Sequence, residues 1–179
     1  MALIWITGVP GAGKTTTSRA LRARGFRAYD ADLDGCRVWR RRDTGEAVAF
    51  PGWPVPTGWH EAHHMPILRS RVETLQGRGG LVFLSGSVDN ELDVWDLFTA
   101  VVCLVIDDVT LRRRLAARSD QYGKAPDELA NILEWNRTCE ANYRRFGASI
   151  VDANRPLGAV VEDVLRVAAG HALSRGGKG

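Results

Sequence analysis

Cysteine is scarce in this chain: Cys36, Cys103 and Cys139 are all there is, and no two of them form a C-x-x-C pair. An odd, sparse set does not make a disulfide framework. It fits structural thiols in a reducing cytosol, so the protein is expected to be cytoplasmic. Cys103 lies inside an apolar run and is expected in the core. Long hydrophobic runs are also missing, since no stretch reaches the ~18 apolar residues of a membrane helix, and no membrane partner is expected. The first residues, MALIWITG, carry no basic segment and no cleavage site, and read as a strand entering a glycine loop. Neither sign of charge dominates: 24 Lys and Arg against 21 Asp and Glu leave +3, too little to argue for nucleic acid. No internal repeat and no second domain are visible.

What remains is a 179-residue chain, 45% hydrophobic and 25% charged, the balance of one soluble domain with a real core. Its arginines are bunched: Arg37 with Arg40, Arg41 and Arg42; Arg112, Arg113 and Arg114 with Arg118; Arg144 with Arg145. Such groups suit a polyanionic small ligand at least as well as nucleic acid, or else they are solvated helix faces.

Apolar runs bounded by turn formers place five strands, at residues 2–7, 26–30, 81–85, 100–106 and 148–152. Between them the spacing predicts helices over 13–24, 60–76, 91–98 and 127–146, one from Asp108, as its cap, to Arg118, and a last one from Pro156 to about Ala169. Residues 31–59 read as irregular, and 119–126 as a loop. Strands alternating with helices give a parallel sheet covered on both faces, a three-layer α/β/α sandwich.

The first strand runs into GVPGAGKT, residues 8–15, which fits G-x-x-x-x-G-K-[ST] in the strand–loop–helix context that this pattern requires. Gly8 and Gly13 let the backbone fold close around phosphate. Amides of Pro10–Thr16, through Gly11 and Ala12, and the positive end of the next helix face an anion there, though Pro10 itself has no N–H. Lys14 is expected to reach the β- and γ-phosphates, Thr15 to ligate Mg²⁺, and Thr16 to sit beside them. ATP or GTP binding follows.

With these residues the chain resembles the small P-loop kinases related to adenylate, gluconate and shikimate kinases, over roughly residues 2–169. The resemblance implies strand order 2-3-1-4-5 and a lid over the phosphates, here at about 114–128. It implies one kinase domain over 1–172 with an acceptor-binding insert at about 33–76; 173–179 would be a flexible tail. Asp30-Ala31-Asp32 resembles the D-x-D of shikimate kinases. By that similarity Asp30 helps hold the Mg²⁺ shell, and Asp32 orients the accepting hydroxyl and takes its proton, with Asp34 a possible substitute. In RRRLAARSDQYGK, Arg114 would stack on adenine and Arg118 would enter the phosphate site, the two sharing a helix face. Arg137 resembles a second clamp on phosphate or substrate, and Asn154 lies where relatives keep the adenine loop. One departure is clear: Ser85-Gly86-Ser87-Val88-Asp89-Asn90 has no acid at the strand end, so Mg²⁺ must rely on Thr15, Asp30 and the phosphates.

A competing pattern is His60-Glu61-Ala62-His63-His64, which fits the zinc-protease helix H-E-x-x-H. It lacks an evident third ligand and borders the acceptor region, so it reads as a chance match, with one histidine open to a substrate contact. That region also holds Trp39, Trp53 and Trp59 beside Arg37 and Arg40, and Arg69 and Arg71 could reach it. Tryptophan beside arginine suits a flat, polar or phosphorylated ligand; equally, the tryptophans could be the insert's own small core. Two functions stay open. One is a kinase moving the γ-phosphate to a small acceptor, a nucleoside, nucleotide or sugar-like metabolite, working as a monomer or homodimer. The other is an ATP-binding switch with a protein or RNA partner.

Overall fold

The computed structural model describes residues 1–53, 55–119 and 122–176, with side chains through residue 171. Residues 120 and 121 of the expected lid, 177–179 of the expected tail, and residue 54 lie outside the described residues. The sheet strands are β1 (Ala2–Thr7), β2 (Arg27–Asp30), β5 (Leu81–Ser85), β6 (Ala100–Val105) and β7 (Ser149–Asp152). They pair in parallel in the order β2-β5-β1-β6-β7, which in chain order of the sheet strands is 2-3-1-4-5, as expected. All six residues of β1 are buried, which is why its run is apolar throughout rather than alternating.

Successive side chains of β1 serve opposite layers. Ile4 and Ile6 join Leu21 of α1 (Lys14–Ala23) and Val160, Val161 and Val164 of α6 (Leu157–Gly176). Leu3 and Trp5 join Val72 and Leu75 of α3 (Arg69–Gln76) and Leu97 of a 3₁₀ helix, Glu91–Leu97. Trp5 stacks on Phe98 with ring centroids 5.3 Å apart. α4 (Asp108–Ala117) and α5 (Pro126–Arg145) follow β6. Cys103 is fully buried, with its sulfur 3.6 Å from that of Cys139 on α5.

Five local expectations are corrected. The helix expected over 60–76 is broken into α2 (Trp59–Ala62) and α3, with the short strand β4 (His63–His64) between them. β4 pairs antiparallel with β3 (Arg40–Arg41), and Pro66 follows; pairing and proline both oppose a continuous helix. So the insert is a small hairpin rather than irregular chain. Asp107, not Asp108, caps α4, accepting from the Thr110 amide at 2.7 Å. α4 ends at Ala117, leaving Arg118 in extended backbone, so Arg114 and Arg118 do not share a helix face. Finally, α6 continues to Gly176, past Ala169. No helix among the described residues is long and apolar enough to cross a membrane.

Candidate active site

At the C-terminal edge of β1 the chain turns through Gly8–Gly13 into α1. Gly8 has φ 138°, and a Cβ there would sit 2.5 Å from the Leu104 carbonyl oxygen. Gly11, at φ 89°, leaves room for Leu111 of α4, whose Cδ1 would lie 2.7 Å from an added Cβ. The glycines are therefore required by close packing of the loop as well as by its curvature. Gly13 stands before α1 in the left-handed region, and no side chain among the described residues caps that helix. Its first-turn N–H groups face the cleft, a setting for an anion.

Lys14 donates to the carbonyls of Gly8 at 2.7 Å and Val9 at 2.9 Å. Burial pushes its pKa down to about 8; Asp32 opposes this, and Arg118 and Arg37 reinforce it. The Thr15 hydroxyl donates to Oδ2 of buried Asp30 at 2.8 Å. A hydroxyl and a carboxylate side by side, both hard oxygen donors, fit Mg²⁺. Asp30 Oδ1 accepts from the Asp32 amide at 3.0 Å, which fixes the start of the loop after β2.

Asp32 projects from that loop into the cleft, half-exposed, with Oδ1 2.7 Å from Nε of Arg37. Desolvation raises its pKa against the pull of Arg37. Arg37 is itself almost enclosed, at 9% side-chain exposure; Nη2 meets the Met65 sulfur at 3.3 Å and Nη1 donates to the Ser87 carbonyl. Asp34 is no substitute for Asp32, because its Oδ2 accepts from Arg22 at 2.5 Å and from the Asp30 amide at 2.7 Å, away from the cleft.

Lys14, Thr15, Asp32 and Arg37 share one cleft of about 1240 Å³. Along one flank run the loop residues Pro10–Thr16, then Arg114, Ala153, Arg155 and Leu157; Trp39, Phe50, Trp53, His60 and Met65 line another, and Arg118 and Tyr122 also border it. Arg114 bridges Ala12 and Ala153 through their carbonyls, at 3.1 and 2.8 Å.

Not every expected residue arrives there. Arg137 is exposed on α5 and pairs with Glu134 at 2.7 Å. Arg69 pairs with Asp96 at 2.5 Å on the surface. Arg40 is held in the insert hairpin, donating to the Gly45 carbonyl at 2.6 Å. Trp59 lies behind the wall, stacked on His63 at 3.6 Å between centroids. Asn154 turns away to accept from the Asp107 amide at 3.1 Å, and its neighbours Ala153 and Arg155 line the cleft instead. Of the H-E-x-x-H pattern, His60 is on α2 and His64 on β4, so the two do not lie one turn apart on a helix.

Three features escaped the sequence. One is the Arg37–Asp32 pair, whose only trace is a spacing of five residues. Another is Tyr122, which follows Arg118 in the same loop. The third is Glu91, buried under the phosphate loop, with Oε1 accepting from Thr7 at 2.8 Å and Oε2 from Tyr143 at 2.5 Å. In sequence it resembles any acidic first-turn residue. Burial raises its pKa, while the two hydroxyls favour its charged form.

The sequence pattern of the AAA domain family matches residues 4–141, which span most of β1, the phosphate loop and most of α5. The chain belongs to the AAA domain family. No curated protein matches this AAA-domain chain. Among solved structures it is similar to shikimate kinase from Acinetobacter baumannii in complex with shikimate, at 19% identity and a TM-score of 0.61, covering 99% of this chain and 96% of that one. Shikimate kinase from Aquifex aeolicus is similar at 18% identity and 0.56, covering 96% and 98%. A gluconokinase from Sinorhizobium meliloti is similar at 18% and 0.52, covering 97% of each chain. At these identities the likeness is one of fold: this AAA-domain protein has the architecture of the small P-loop kinases.

Proposed function

We propose that the protein is an ATP-dependent small-molecule kinase of the cytosol, moving the γ-phosphate of ATP in line to a hydroxyl of a small acceptor. The observation that carries this reading is the position of Asp32. A carboxylate held by Arg37 stands in the same cleft as the phosphate loop, with an aromatic-lined space beside it. A hydrolytic switch has no need of such a space, whereas an acceptor does.

In this reading the loop amides and Lys14 hold the β- and γ-phosphates. Thr15, backed by Asp30, would hold Mg²⁺, which supplies charge neutralisation at the phosphate oxygens when bound. Asp32 orients the acceptor hydroxyl and takes its proton. Arg118 closes from the lid over the developing charge. Arg114 positions the loop against the strip Ala153–Leu157, where the nucleotide base would lie.

ADP release from Mg²⁺-ATP, alone and against pools of nucleosides, nucleotides, sugar acids and aminoglycosides, tests it. Stimulation by one pool is expected. Slow hydrolysis unaffected by every pool would replace the kinase with an ATP-dependent switch.

A further inference from the structure

The acceptor side of the cleft has a composition that narrows what it can take, granted the kinase reading above. Its wall is built of rings in mutual contact. Trp39 stacks on Phe50 at 5.8 Å and 20°. Phe50 meets Trp53 edge-on at 5.7 Å, Trp53 meets His60 at 6.5 Å, and His60 meets Tyr122 at 6.0 Å. Phe50 and Trp53 remain 37% and 41% exposed. An isolated insert core would turn such rings inward; these line the cleft.

The arginines of this side are already matched. Arg37 has Asp32 at 2.7 Å, and Arg42 has Asp89 at 3.3 Å. A carboxylate or phosphate on the acceptor would have to displace one of these acids or enter beside it, and like charges oppose that. A neutral planar ring loses little on desolvation and gains contact with each ring face. Nε of Arg37 is close to Asp32 as an ion pair without a hydrogen bond, and Nε2 of His60 is buried on this wall with no hydrogen-bond partner among the described residues. Leaving it unmatched is costly, and a ring heteroatom or hydroxyl of a ligand can meet it.

We propose that the acceptor is an uncharged hydroxyl compound carrying a planar unsaturated ring, which stacks in the Trp39–Phe50–Trp53 wall with a polar atom against His60 Nε2 while its hydroxyl faces Asp32. The group transfer balances simply. The acceptor oxygen forms a bond to the γ-phosphorus, the bond from that phosphorus to the β,γ-bridging oxygen breaks, ADP leaves, and the hydroxyl proton passes to Asp32. Two sources share this chemistry, nucleosides and aryl glycosides.

Titration calorimetry on the full chain, with and without ADP, separates the possibilities. The probes are cytidine and adenosine, 4-nitrophenyl β-glucoside, and as charged counterparts cytidine 5′-monophosphate, gluconate and shikimate. The expected result is that a neutral ring compound binds at least about tenfold more tightly than every charged counterpart. Which neutral probe binds names the source. Trp53→Ala, at the exposed rim, and His60→Phe, which keeps a ring but removes the nitrogen, are each expected to weaken that binding about tenfold. Far-UV circular dichroism reports whether each variant is folded. Equal or tighter binding of a charged counterpart overturns the proposal. So does failure of every ring compound to bind at millimolar concentration, or unchanged affinity in both folded variants. None of these results depends on turnover. Failure of ATP itself to bind would instead strike the kinase reading.

Discussion

In the proposed reaction Lys14 and Asp32 carry most of the chemistry, and each has an electrostatic signature. Lys14 is held to about pKa 8 by burial, yet phosphates favour its ammonium form. Below pH 8 the lysine is already charged and ATP meets it ready. Above pH 8 the free protein has lost that proton, so binding must take one up, and affinity falls by up to about tenfold per pH unit. Calorimetry in buffers of different ionisation enthalpy, from pH 7 to 9.5, should reveal uptake approaching about one proton at the alkaline end. A flat affinity with no uptake would mean that Lys14 does not touch the phosphates. Lys14→Ala should remove ATP binding and turnover together.

Asp32 has the opposite arithmetic. A base acts only when ionised, and desolvation raises its pKa. Activity should therefore be lost as pH falls through a value raised above that of a free aspartate. Asp32→Asn is expected to lower kcat by about 100-fold or more while leaving the Kd for ATP within a few fold. Equal losses in both would make Asp32 a structural partner of Arg37 instead. The residues that sequence located best were those whose roles are local. Gly8, Lys14 and Thr15 lie within eight consecutive residues, one loop and the start of α1, so their spacing already fixes their geometry. Arg137 and Arg69 misled for the converse reason: each lies beside an acid, Glu134 or Asp96, that claims it on the surface.

At the scale of elements, β1, the 3₁₀ helix and α5 meet in the Thr7–Glu91–Tyr143 network directly beneath the phosphate loop. Thr7 immediately precedes Gly8, so the network sets the exit angle of the chain into the loop. Tyr143→Phe removes one hydroxyl and leaves Glu91 buried with one fewer donor. It should destabilise the protein by about 2 kcal/mol, a fall in Tm of roughly 4–8 °C for a domain of this size. Unchanged melting would show that water replaces the hydroxyl without cost. Elements with a strong local signal were readable from sequence: the sheet strands as short runs bounded by turn formers, and α5 by its length and spacing. The segment 60–76 was not. Its apolar spacing looks helical, but pairing of His63 and His64 with Arg41 and Arg40 depends on a partner over twenty residues away, which local periodicity does not register.

For the molecule as a whole, strand order puts the C-terminal ends of β2, β5, β1 and β6 side by side, and there the phosphate loop, the Asp30–Asp32 turn, Ser87 and α4 converge. That convergence is general to the fold. The aromatic wall depends on the fold in another way: it gathers Trp39, Phe50, Trp53, His60 and Tyr122 from positions spread over more than eighty residues, and sequence could mark the tryptophans without saying which would face the cleft. Trp39 and Trp53 do, and Trp59 does not. Transfer of phosphate from ATP to an acceptor bound in this cleft is the step on which the proposed activity turns. The most direct measurement is ³¹P NMR of Mg²⁺-ATP with the protein and the panel of neutral and charged hydroxyl compounds. A new phosphomonoester signal is expected in step with ADP for one of the compounds, and is expected to be absent with Lys14→Ala. ADP accompanied only by inorganic phosphate, at a rate that no compound alters, would contradict it.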